Sequence, residues 1–252
     1  MKSVDKTKSK TLFALVPVFM LLAAVMTSSC GSSPSSDTEI DDPTIYKALF
    51  TVSSTYEEDS KDTEKVVASA VFTEVWGILW VEILNGGVNL HGPDGLDVSL
   101  DVEHNPFGAP YYEVEFAGDL EEGEFYEFEV VLANGRSITN SIKIPDDELV
   151  ITEPESNDII DKGVNLDVEW EGTSNRDALI IISDDEPDLL QLVGHFTPDD
   201  GEETLRPDQF FTLFPGAHKF TVVRGNEANV NGFHTNSKIH AFLLYTVPVV
   251  IQ

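Results

Sequence analysis

Cysteine, histidine, acid and tryptophan are the side chains here whose chemistry could define a function. The chain of 252 residues holds one cysteine, Cys30, so no internal disulfide can form. Six histidines, His91, His104, His195, His218, His234 and His240, are scattered, and no pair has the i, i+4 spacing that sets two imidazoles on one helix face for zinc. Acids cluster at Asp184-Asp185-Glu186-Pro187-Asp188 and at Asp199-Asp200-Gly201-Glu202-Glu203. Calcium takes six to eight oxygens from such loops. Neither cluster has the glycine and glutamate spacing of a helix-flanked calcium loop, so solvated loop acids are the expectation and no metal is assigned. Trp76, Trp80, Tyr111 and Tyr112 could stack on a sugar ring, or could fill a core that needs large residues. A nucleophile elbow, a phosphate-binding glycine loop and a His-Glu-x-x-His stretch are all missing. The expectation is a non-catalytic protein with no cofactor and no assigned catalytic or ligand-binding residue.

The placement of Cys30 is more informative. Lys2, Lys6, Lys8 and Lys10 precede an uncharged run, Leu12 to Met26. That run is the length of a signal-peptide apolar core and shorter than the roughly 20 residues of a bilayer span. Small residues Thr27, Ser28 and Ser29 follow, directly before Cys30. The arrangement resembles a bacterial lipoprotein signal. The resemblance implies cleavage after Ser29 and acylation of Cys30, which becomes the new N-terminus and the lipid attachment site. Two or three acyl chains give stable anchoring where one gives only marginal binding. Gly31 is not the aspartate that retains some lipoproteins in an inner membrane, so the implied location is the outer membrane of a bacterial cell envelope.

The net charge is −30, and cleavage after Ser29 would remove four lysines and one aspartate, leaving the mature part more acidic still. Such a charge opposes nucleic-acid binding. Residues 30–43, rich in Ser, Pro and acids, cannot bury enough apolar surface to fold and read as a flexible tether.

From Ile45 onward the apolar period is two, with no helical pattern sustained for three turns. Tyr126, Phe128, Val130 and Leu132 alternate with Glu127 and Glu129, and Asn134-Gly135 predicts a two-residue type I′ hairpin turn. Val164, Leu166, Val168 and Trp170 share one face of a second alternating strand. Further strands are expected at 48–53, 66–75, 79–84, 96–102, 190–196, 218–224 and 239–247. Leu179–Ile182 reads as a central strand covered on both faces or a strand end turning into the core, and Pro248 as an edge position or the end of pairing. Pro145-Asp146-Asp147 marks a boundary. The division is therefore 1–29 signal peptide, 30–43 tether, 44–146 first β-sandwich domain and 147–252 second, with separate cores and the second half able to fold alone.

The stretch from Ile151 through Pro154 to Trp170 resembles the opening of an immunoglobulin-like or fibronectin type III-like domain. "PGAHKFTVVRG" is similar to its penultimate strand, with Phe220 at the aromatic position. "GRSITNSIKIP" running into "LVITEPESNDII" resembles the junction of two-domain bacterial surface lipoproteins of unassigned activity. The fold class implied is all-β, two tandem immunoglobulin-like sandwiches. The implied role is binding, adhesion or spacing, with a membrane contact through the lipid and a protein or glycan ligand at the cell surface. A glycan-binding module using exposed aromatics is the alternative, and a hydrolase ranks behind it.

Overall fold

The structure, a computed structural model, describes residues 36–38, 40, 42–58, 64–75, 80–106, 108–184 and 191–252. Cys30, Trp76 and Asp185–Asp188 lie outside the described residues. Among those described, strands dominate, and the α-helix is a single turn, α1 (Pro207–Phe210).

The first sandwich is built from β2 (Tyr46–Glu57), β3 (Glu64–Glu74), β4 (Val81–Ile83), β5 (Gly87–His91), β6 (Asp97–His104), β7 (Pro110–Ala117), β8 (Phe125–Val131) and β9 (Ser137–Lys143). A short β1 (Ser36–Thr38) pairs in parallel with β4. One layer is β2-β3-β7 and the other β5-β8-β9. β6 joins them by changing partner halfway: Asp97–Leu100 pair with β5, and Asp101–His104 with β7. Strict alternation puts Phe50, Val52, Phe72, Phe128 and Val130 between the layers, all buried.

The second sandwich sets β10 (Val150–Glu153), β12 (Leu166–Glu171) and β15 (Glu202–Leu205) against β14 (Leu192–Pro198), β13 (Asp177–Asp184), β16 (Gly216–Asn229) and β17 (Lys238–Ile251). β11 (Ile159–Ile160) crosses to pair in parallel with β17. In both sandwiches the first, second and fifth strands oppose the third, sixth and seventh, which is the strand order of immunoglobulin-like and fibronectin type III-like sandwiches. The all-β tandem fold expected from the alternation is therefore present.

The expectation of separate cores does not hold. β16 and β17 are each 14 residues long, far beyond the segments expected, and run through both sandwiches. At its far end β17 lies against β11. At its near end it pairs in parallel with β2 over nine consecutive positions, Lys238↔Leu49 to Thr246↔Glu57. One sheet of twelve strands results, and one contiguous core runs from Phe50 to Ile251.

Two smaller expectations are also corrected. Pro248 sits inside a paired strand, opposite Lys219. On its other side the pairing with β2 ends at Thr246 and that with β11 begins at Val250, so the missing N–H falls in the gap between two partners. The β8–β9 turn is a three-residue loop: Gly135 N–H donates to the Leu132 carbonyl (2.8 Å), and only Gly135 has positive φ (77°). That is a type I turn with a glycine bulge, not the I′ turn. Leu179–Ile182 meets its expectation: β13 is paired on both sides, with Ile180 and Ile182 buried on one face and Ile181 on the other.

Candidate functional site

The most elaborate polar arrangement is at the junction of the sandwiches. Alternation in Phe220-Thr221-Val222-Val223-Arg224 points Arg224 into the core beside Phe220 and Val222, and Arg224 is 1% exposed. A guanidinium there needs acceptors. Its Nε and Nη2 donate to the two carboxylate oxygens of Asp199 at 2.6 and 3.0 Å. Nη1 donates to the backbone carbonyls of Asp147 and Glu148, the connection between the sandwiches. Trp170 Nε1 donates to Asp199 Oδ1 at 2.9 Å. Burial alone would raise the Asp199 pKa. Hydrogen bonds from Arg224, Ser174 and Trp170 outweigh it and hold the carboxyl below its ordinary value. Gly172 (φ +78°) completes the fit, because a Cβ there would sit 2.4 Å from the Glu148 carbonyl oxygen and 2.5 Å from Arg224 Nη1. With its donors and acceptors taken, the site fastens the linker, β12, the β14–β15 loop and the long hairpin together. Asp199 thus departs from the expected solvated loop acid.

The hairpin turn makes the second fastening. Phe233, 6% exposed, enters the first core with its ring centroid 5.6 Å from Phe72 and 6.2 Å from Phe50. His234 N–H donates to the Tyr46 carbonyl (2.9 Å), and Ala48 N–H donates to the buried Ser237 hydroxyl (2.9 Å). Asn140 exchanges two hydrogen bonds with the Asn231 backbone, and Asn226 Nδ2 donates to the Lys143 carbonyl (2.8 Å).

The histidines do not converge on a common centre, and among the described residues no group of three or more His, Cys, Asp or Glu could hold a metal. His91 lies 3.3 Å from Asp97 and 3.4 Å from Glu129. His104 ends β6 on an exposed position. His195 sits between Glu203 and Gln209. His218 is buried between the Ser183 and Phe214 carbonyls. His234 accepts from Asn236 N–H, and His240 stacks on Phe242, where burial lowers its pKa.

Of the candidate sugar-stacking aromatics, Trp76 lies outside the described residues, and the other three are buried or half-buried. Tyr112 is 1% exposed, its hydroxyl accepts from Ile83 N–H at 2.7 Å, and burial pushes its pKa up to about 12. Tyr111 and Trp80 are half-buried. Trp170 is core, as its alternating neighbours imply. Two open clefts among the described residues bear on ligand binding. The larger, about 650 Å³, is lined by Asp42, Thr44, Arg136, Ser137, Asn231 and Gly232. Its one acid is engaged, since Thr44 donates to Asp42 through both its amide and its hydroxyl. The smaller, about 140 Å³, lies beside Pro154 and Val164.

No family model matches the chain. No curated protein matches it either. Solved structures similar to it are immunoglobulin-like and fibronectin type III-like modules. The N-terminal immunoglobulin pair of the Drosophila receptor protein tyrosine phosphatase DLAR aligns with TM-score 0.31 at 10% identity, over 82% of this chain and 99% of that one. A bacterial ice-binding adhesin, described for host cell surface retention, aligns with TM-score 0.26 at 10% identity, over 85% and 66%. The fibronectin(III)-like modules of Clostridium thermocellum CbhA give 0.23 at 12%, over 78% and 93%. At those TM-scores the superpositions carry no argument, and the fold assignment rests on the strand order above.

Proposed function

We propose that this chain is a lipid-anchored protein of the bacterial cell envelope whose role is mechanical and adhesive: a stiff spacer that carries a binding surface. Residues 1–29 are the cleaved signal, Cys30 the acylated N-terminus and 30–43 the tether, and the outer membrane is the anchoring surface. Residues 44–146 and 147–252 are the two sandwich domains. The observation that carries the reading is the β16–β17 hairpin. Fourteen residues per strand span ~45 Å. Its turn lies beside Tyr46, where the tether enters, and its other end lies beside exposed Phe214. A hinge between the sandwiches would need this hairpin to bend and the Arg224–Asp199 pair to break. A cleft with converging polar groups, which a hydrolase needs, is not among those described. The test is Cys30→Ser in a bacterial host. The variant is expected to leave the detergent fraction for the soluble one, or to stall as precursor, with an unchanged melting curve. Equal membrane retention with normal processing contradicts the anchor.

A further inference from the structure

Sheet edges are where a β protein is exposed to pairing with another chain. The long sheet has two terminal strands, β9 and β14. β9 is covered by the hairpin through Asn226, Asn140 and Asn231. In the smaller sheet, β10 and β15 are four residues each, and β15 carries Glu202 and Glu203. Among the described residues, β14 has none of these protections. It is seven residues long, Leu-Val-Gly-His-Phe-Thr-Pro, with no Lys, Arg, Asp or Glu.

The pairing tells which amides face away from β13. Asp184 N–H donates to the Gln191 carbonyl, so Asp184 and Gln191 form a hydrogen-bonded antiparallel pair. Such pairs recur every second residue. Residues 193, 195 and 197 therefore bond inward to β13, and the N–H and C=O groups of Leu192, Gly194 and Phe196 point away from the sheet. The side chains of Leu192 (39% exposed) and Phe196 (65%) flank the small Gly194. Phe196 lies directly opposite Leu179, Leu179 opposite Val223, and Val223 opposite Leu244. An apolar row thus runs from the sheet's outer face to its open edge.

We propose that β14 is a docking edge that takes an extended strand of a partner protein, with apolar residues at alternate positions and basic residues at its two ends. The alternate positions would cover Leu192 and Phe196. The basic ends follow from the charges that bracket a neutral strand: Asp184 beside its start, and Asp200 and Glu202 just beyond its end. A second copy is disfavoured by the same charges. Two β14 strands pairing antiparallel would bring acid to acid at both ends, in a chain of net charge −30. The edge deepens the binding part of the proposed function and rests on it for its role. Its chemistry does not depend on the anchor.

The test uses the full chain carrying Cys30→Ser and two synthetic nonapeptides of alternating Thr and Val, one ended by lysine pairs and one by glutamate pairs. The lysine-ended peptide is expected to bind at least tenfold more tightly at low salt, slowing amide exchange at Leu192, Gly194 and Phe196. Gly194→Pro removes an outward N–H without touching the β13 ladder, and is expected to cost at least tenfold. Gly194→Ala keeps the N–H, and a Cβ there meets only Leu179 Cδ1 at 3.6 Å, so binding is retained. Phe196→Lys, at an exposed position, gives the same loss as Gly194→Pro without asking the strand to accept proline. Binding indifferent to both Gly194→Pro and Phe196→Lys, protection mapped elsewhere, or no binding by either peptide overturns the proposal. A concentration-dependent dimer abolished by Gly194→Pro overturns it in favour of a second copy. Membrane retention of the Cys30→Ser variant would fail the anchor reading alone and leave these results standing.

Discussion

Phe233 belongs in sequence to the second half of the chain and in space to the core of the first. Replacing it with alanine isolates that connection. The side chain is 6% exposed and in ring contact with Phe50 and Phe72, so Phe233→Ala loses its transfer energy and leaves a cavity among rings that are themselves fixed by the β2–β3 ladder. Such truncations cost about 3–5 kcal/mol. For a chain of this size each kcal/mol moves Tm by about 2–4 °C, so the melting point should fall by about 6–20 °C. The assay is urea unfolding followed by far-UV circular dichroism and by the fluorescence of Trp170, isolated by changing Trp76 and Trp80 to Phe. Trp170 lies in the other sandwich. If one core couples the two, both signals shift together to lower urea. Phe211→Ala, at a position 63% exposed, should change stability by less than about 0.5 kcal/mol. A loss below about 1 kcal/mol for Phe233→Ala, or a Trp170 transition that stays in place while the dichroism moves, would refute the reasoning.

Arg224→Met strands Asp199 as a buried carboxylate and should cost about 3–5 kcal/mol at neutral pH, measured by urea unfolding. Because the native contacts hold Asp199 below its ordinary value, their stabilisation is present above about pH 4 and lost as pH falls through the depressed pKa, so the variant's acid limb should be flatter. Trp170→Phe keeps most of the ring and removes the donor to Asp199, at about 1–3 kcal/mol. Glu113 behaves oppositely: burial first, then Glu115 and Glu103, raise it to about 7. An acid raised on folding loses stability as pH climbs from its unfolded value near 4.5 to 7. Glu113→Gln should therefore match the parent protein at pH 4 and be more stable at pH 8 by roughly 1–3 kcal/mol, the upper figure being a bound because water reaches part of the side chain.

Local alternation revealed most strands because each needs only a core face and a solvent face, as in Tyr126–Leu132 and Leu166–Trp170, although Val164, expected on the same core face, lies before β12 and is 56% exposed. It failed where a strand is held by distant partners. After Arg224 the run Gly225-Asn226-Glu227-Ala228-Asn229 is polar and glycine-led, so it reads as a loop. It is a strand because β17 pairs along it and Asn226 reaches Lys143. Phe233 stands alone between polar residues and has no period to betray its burial. Asp199 looks like every other acid of its cluster. A usable signal was present on the other side: the phase of Phe220 and Val222 sets Arg224 on the core face, and a buried guanidinium requires a buried acid. The register of β2 with β17 joins residues nearly 190 apart in sequence, as the Ala48–Ser237 bond does (189), and no local pattern encodes it.

Differential scanning calorimetry of the mature chain carrying Cys30→Ser tests most directly whether the hairpin makes one unit of two sandwiches. A single transition is predicted, with calorimetric and van't Hoff enthalpies equal. Two resolved transitions, or a calorimetric enthalpy near twice the van't Hoff value, would mean that the sandwiches unfold independently and that the hairpin does not weld them into a stiff spacer.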